Sequence, residues 1–164
     1  MRFTLDRESL LVKVDGGMAL ADVEASLVEL GLTLDVTGAL AVTQCVAAWL
    51  AEGARGSRDP WLDPVDHLIA GCELILRDGR RFEIRPAPRR AVGPDLIALV
   101  VGMGERFARV ESAWLRVHPI GLKRPNQGAL AGELDPEISE GEAGLLDAIA
   151  ARLDPSYRRP ASEE

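Results

Sequence analysis

The chain has 164 residues, 47% of them hydrophobic, 27% charged and only 4% aromatic, which fits one globular domain around one ordinary core and leaves no room for a second full domain. Nineteen Lys and Arg stand against 26 Asp and Glu, a net charge of -7, so a broad attraction to nucleic acid or anionic lipid is not expected. The basic residues gather only locally, from Arg85 to Arg90.

At the N-terminus, MRFTLDRESLLVKV is interrupted by Asp6, Arg7, Glu8 and Lys13, so no secretory apolar core is expected there. No membrane span is visible along the chain, and a cytoplasmic protein is expected. Residues 10–15, LLVKVD, alternate as a strand and stop at Gly16-Gly17. Residues 19–30 place Leu20, Val23, Leu27 and Leu30 on one helical face, with Gly31 as the stop. A short strand, LTLDV, follows, and helical spacing resumes over 40–52 through Leu40, Val46, Trp49 and Leu50.

That helix ends in VAAWLAEGARGSRDPW, a loop carrying Gly53, Arg55, Gly56 and Arg58. Its composition suits two readings: a cradle for a phosphate, or a helix exit with solvated arginines, which is the commoner case. Further on, Leu68 to Leu76 and RRFEIRP flank Asp78-Gly79 and make the clearest hairpin in the sequence. Pro94 opens a short helix, DLIALVV, closed by Gly102 and Gly104. Residues 107–118 predict another strand, with Val110 and Trp114 on one face and Leu115 and Val117 toward the core on the other. GEAGLLDAIAARLDP predicts a last amphipathic helix stopped by Pro155. Strands interleaved with helices around one Asp-Gly hairpin imply an α+β fold, a largely antiparallel sheet flanked by helices.

Few residues suggest chemistry of their own. Cys45 and Cys72 sit in apolar segments with no CxxC or nearby His pair and read as small hydrophobes. His67 with Asp63 and Asp66 lacks a regular ligand spacing, His118 has no evident partner, and Arg89 and Arg90 read first as carboxylate partners. No catalytic set and no metal site is expected.

The stretch PAPRRAVGPDLIALVVGMGERFARVESAWLRVHP, residues 86–119, resembles the end of the FAD-binding domain of the FAD-linked oxidases, the vanillyl-alcohol oxidase and p-cresol methylhydroxylase group. Within that group it looks most like the alkyldihydroxyacetonephosphate synthase and glycolate oxidase subunit branch. VDGGMALADVEASLVELGLTLDV, LIAGCELILRDGRRFEI and LLDAIAARLDPSYRRP are similar to further segments of the same family, in the same order. The resemblance implies a half-domain resembling the second FAD subdomain over 1–120, a linker at 121–140 in place of the cap domain, and a C-terminal helix and tail over 141–164. It implies a family member shortened by the first subdomain, whose Gly-rich loop has no equivalent before Leu10.

The resemblance also implies where FAD would be met. Ala47 and Ala48 match a glycine pair whose amides approach the flavin diphosphate, and a methyl group at each crowds that approach. Arg55 and Gly56 belong to the loop that follows. Gly102 holds its place in a glycine-rich turn, and Val110 matches a position whose main chain meets the adenine. The tail, at Tyr157 to Pro160, departs from the Asn and Gly of the family ending. Two functions follow from this resemblance: an interaction or regulatory module without autonomous catalysis, or an FAD-binding oxidoreductase subunit completed by a partner chain. A homo- or hetero-oligomer contact is expected on the face where the first subdomain would pack.

Overall fold

The computed structural model describes residues 3–36, 44–57, 68–86, 96–122 and 140–153. FTLD alternates Phe3 and Leu5 with Thr4 and Asp6 and forms β1 (Phe3–Asp6), a strand absent from the sequence-based expectation. It returns antiparallel onto β2 (Leu11–Asp15) through a turn in which Asp6 Oδ1 accepts the amides of Glu8 and Ser9. Then α1 (Leu20–Glu29) buries Leu20, Val23 and Leu27 of the expected face, whereas Leu30, expected with them, is the C-cap residue and is exposed. The strand expected at 32–36 is reduced to β3 (Leu32–Thr33), which pairs with β7 (His118–Pro119) in a separate ribbon. The helix expected over 40–52 is α2 (Val46–Ala51), six residues long; residues 37–43 lie outside the described residues.

The Asp-Gly hairpin joins β4 (Ile69–Leu76) to β5 (Arg81–Ile84), with the Arg80 amide on Asp78 Oδ1 and the Gly79 amide on the Leu76 carbonyl. A 3₁₀ turn, Leu96–Leu99, replaces the short helix expected at 95–101. Next comes β6 (Ala108–Arg116), and after most of the expected linker, 123–139, which lies outside the described residues, α3 (Glu140–Leu153).

The main sheet runs β1-β2-β6-β4-β5, every pairing antiparallel. The fold is therefore α+β, a largely antiparallel sheet flanked by helices. One face carries Val12, Val14, Cys72, Leu74, Ala113 and Leu115 into a core shared with Leu20, Leu27, Trp49 and Leu50 of the two helices. Burial pushes the Cys72 thiol up to about 12, so it stays protonated and packs as a small apolar group.

The opposite face is polar. Lys13 Nζ lies 2.5 Å from Glu73 Oε1, Ser112 donates to Glu73 Oε2 at 2.7 Å, Arg81 meets Glu111 at 2.7 Å, and Lys13 stands 6.0 Å above the Trp114 ring. This corrects the expected faces of β6. Its register against β4 slips by one residue between Glu73/Ser112 and Leu74/Val110, leaving Glu111 as an extra residue in the ladder. An extra residue inverts the alternation beyond it. Val110 therefore faces the core with Ala113 and Leu115, while Trp114 turns to the polar face with Lys13.

A second slip places Ala70 as an extra residue in β4. Beside it, a Cβ on Gly71 would lie 2.5 Å from the Ile84 carbonyl oxygen and 2.7 Å from the Pro86 nitrogen, so the end of the hairpin closes only over a glycine. Among the described residues, no helix is long and apolar enough to cross a membrane.

Candidate functional site

The residues matched to FAD contacts fall at the two ends of α2, about 9 Å apart at the usual helical rise. Neither α1 nor α2 has a side-chain cap at its N-terminus. The two helix starts instead cap each other through the main chain: Leu20 N–H donates to the Gln44 carbonyl and Val46 N–H to the Met18 carbonyl, both at 2.9 Å, around a bridge between Ala19 and Cys45.

Gly16 lets this junction close. Its amide donates to the Glu111 carbonyl and its own carbonyl accepts the Ala47 amide, each at 2.8 Å. A Cβ placed on Gly16 would lie 2.5 Å from the Val110 carbonyl oxygen and 3.2 Å from Ala47 Cβ. Gly16, Ala47 and Val110 are thus brought together in one tight, half-dry contact between β2, α2 and β6. Ala48 is half-buried on the next helical position.

The other end of α2 answers the ambiguity of the loop behind it. Gly53 follows the helix with φ 92°, a conformation only glycine adopts without strain, and ends it. Ala54 also holds a positive φ, 54°, and is buried; its amide returns to the Trp49 carbonyl at 2.8 Å. Trp49, the largest fully buried side chain among the described residues, donates Nε1–H to the Arg55 carbonyl at 2.9 Å. The loop is a built helix exit, with the Arg55 side chain exposed and Gly56 half-buried.

Gly102 comes against this exit. Its amide donates to the Leu50 carbonyl at 3.0 Å and that of Gly104 to the Ala51 carbonyl at 2.9 Å, so the turn after the 3₁₀ segment caps the C-terminus of α2. The sequence signal of Gly102 and Gly104 was visible, but its use was not.

A dinucleotide diphosphate is held by backbone amides that converge on it with no other acceptor. The amides of Ala47 and Gly102 already have carbonyl acceptors, so they do not fit that role here. The crowding by the Ala47 methyl is secondary to this, since the methyl packs against Gly16. Of the expected contact set, Arg55 is the charged residue, and it is exposed. Arg58, His67, Arg89, Arg90 and the tail from Asp154 lie outside the described residues. No group of three or more His, Cys, Asp and Glu that could hold a metal occurs among the described residues.

A family model described as FAD binding domain matches residues 2–85, just over half of the chain. The uncharacterized FAD-linked oxidoreductase YgcU of Escherichia coli K12 is 21% identical over 155 residues, which cover 94% of this chain and 31% of that protein. The same protein of Escherichia coli O157:H7 matches equally. Among solved structures, two of alkyldihydroxyacetonephosphate synthase superpose on 71% of this chain and 21% of their own, with TM-scores of 0.58 and 0.55 at 16% and 17% identity. At such identity the likeness is one of fold. The chain spans about a third of the length of the curated relatives it matches. By the family model, and with the fold in agreement, the chain belongs to the FAD binding domain family of the FAD-linked oxidases.

Proposed function

We propose that this chain is an FAD-linked oxidase-like domain that holds no FAD by itself and works as an interaction module. The observation that carries the reading is that two of the matched amides, those of Ala47 and Gly102, are taken by the Gly16 and Leu50 carbonyls. A family member that binds FAD alone would need such amides directed at the ligand.

The module reading also draws on an apolar surface around the β3–β7 ribbon. Val28, Leu30, Ile120 and Leu122 are all more than a third exposed, and the Ile120 amide ties to the Gly31 carbonyl at 3.1 Å, which keeps the two segments adjacent. Exposed apolar side chains gathered in this way suit a contact with a second copy or another protein, the expected replacement for the family's first FAD subdomain. A second reading is favoured by the exposed Arg55 at the α2 exit: a partner chain supplies the converging amides, this chain adds a cationic rim, and the assembled pair binds FAD as an oxidoreductase subunit.

Titrating the purified chain with FAD while following flavin fluorescence tests the first reading. No saturable binding is expected up to about 10 μM FAD, and micromolar affinity would overturn it. Light scattering on the same sample reads the oligomeric state. A monomer whose mass does not change with concentration removes the self-association arm.

A further inference from the structure

The main sheet ends on β5, which pairs with β4 on one side and with no strand on the other among the described residues. The register against β4 fixes which of its backbone groups point outward. Leu76 N–H donates to the Arg80 carbonyl at 2.9 Å, so these two form a hydrogen-bonded pair, and in an antiparallel ladder such pairs alternate with pairs that are not. The pairing then runs without a slip from Arg81 opposite Ile75 to Ile84 opposite Cys72. Phe82 and Ile84 therefore direct their N–H and C=O groups at β4, and Arg81 and Glu83 direct theirs at the open side. Such a row takes up another strand unless proline, a bulge or like charges blunt it. β5 has neither proline nor bulge, three of its four residues are exposed, and Phe82 is among them at 41%.

The charges on this edge select its occupant. A two-fold antiparallel pairing with a second copy must set outward residues against outward residues, so its axis passes through Arg81, Phe82 or Glu83. On Arg81, two guanidinium groups face each other. On Glu83, two carboxylates do, and Arg81 meets Arg85. On Phe82, each Arg81 faces Glu83 of the second copy, and each such pair exchanges both main-chain hydrogen bonds. The two Phe82 rings then meet on the axis, where strands approach most closely and an aromatic pair contributes most. Within its own chain Glu83 stands opposite Glu73, whose carboxylate Lys13 and Ser112 hold, and no cation pairs with Glu83 among the described residues. Arg81 already meets Glu111 at 2.7 Å, but its side chain is 74% exposed and its five-donor fork reaches a second carboxylate without giving up the first. The opposite edge, β1, has a single charge, Asp6, which the Glu8 and Ser9 amides occupy, so charge selects no register there.

We propose that two copies of this chain join edge to edge through β5, in antiparallel register about a two-fold axis at Phe82, so that their sheets become one. The contact uses none of the exposed residues around the β3–β7 ribbon, and it stands whether or not FAD binds.

Sedimentation equilibrium of the full chain and its variants tests this. The parent is expected to dimerise with a dissociation constant of about 10 μM. Glu83→Arg sets arginine against arginine at both pairs and should weaken the dimer at least about tenfold, and Arg81→Glu should do the same with carboxylates. Mixed in equal amounts, the two single variants regain both opposite-charge pairs and should associate about as tightly as the parent. Phe82→Cys sets two thiols across the axis and should give a disulfide-linked dimer under mild oxidation that the parent, with Cys45 and Cys72, does not give. That variant keeps the test valid where Arg81→Glu, which loses its bond to Glu111, unfolds. Ile120→Asp, on the ribbon surface, should leave the dimer unchanged. A parent that stays monomeric up to about 0.5 mM would overturn the proposal. So would a Glu83→Arg variant that associates as the parent does, folded single variants that stay apart when mixed, no cross-link through Phe82→Cys, or a dimer lost to Ile120→Asp.

Discussion

The two ends of α2 and the groove that Leu74, Phe82, Leu96 and Ala150 line beneath α3 both carry arginines and aliphatic side chains, and they differ in what the backbone does. Around α2, carbonyls of the turn between β2 and α1 and of α2 itself take up the amides of Val46, Ala47, Gly102 and Gly104, and glycine at position 16 lets three elements meet without a gap. In the groove, the apolar side chains of Phe82 and Leu96 stay exposed, and Arg80 and Arg106 at its edge pair with Asp78 and Asp147. The amides of Ala47 and Gly102, at positions matched to FAD contacts, are taken by carbonyls, whereas the groove that Phe82 and Leu96 line is open. Residue type alone does not locate a ligand site; the partners of the main-chain amides do.

The comparison breaks most easily at Gly16. Gly16→Ala sets a methyl group 2.5 Å from the Val110 carbonyl oxygen, with backbone on the far side, and is expected to cost about 3 kcal/mol in urea unfolding. A loss below about 1 kcal/mol would mean that the junction is looser than described. Trp49→Phe keeps most of the packing but leaves the Arg55 carbonyl without its indole donor, for an expected loss of about 1 to 2 kcal/mol.

On the open side, Asp147→Ala removes the carboxylate 3.2 Å from the largely buried Arg106 and is expected to cost about 1 kcal/mol and to speed proteolytic cleavage within α3, with the sheet still intact. Cleavage at the parent rate would show that α3 is held by packing alone.

The smallest effect is expected on the polar sheet face. The Lys13 ammonium, then the Ser112 hydroxyl, hold the Glu73 carboxyl below its ordinary value of 4.5. A lowered value in the folded state means that the stability this group contributes is complete above pH 4.5 and is lost as pH falls through the folded value. Glu73→Gln should therefore cost no more than about 0.5 kcal/mol near neutrality, since both side chains are about a third exposed, and should flatten the acid limb of a stability-against-pH curve. An unchanged acid limb would remove Glu73 from the account of that face.

Much of the architecture was legible in the chain. The Asp78-Gly79 hairpin, the face of α1 and the strand ending near Pro119 carry strong local signals, and local signals decided them. The slip at Glu111 was not legible, because FARVESAWLR alternates plausibly in either register and only pairing with β4 inserts the extra residue. Nor was β1, whose four residues form a strand through β2 rather than through their own propensity. Gly16 read as a turn residue; its close approach to Val110 depends on a strand almost a hundred residues away. The same distance hid the state of the site. Ala47 and Gly102 were recognisable as positions, but the carbonyls that occupy their amides come from elsewhere in the fold.

Amide hydrogen exchange at Val46, Ala47, Gly102 and Gly104, with and without FAD, tests the sealed state of α2 most directly. Slow exchange at all four in the protein alone, unchanged by saturating FAD, is the expected result. Fast exchange at Ala47 and Gly102 that becomes slow when FAD is added would show amides directed at the cofactor, and would contradict it.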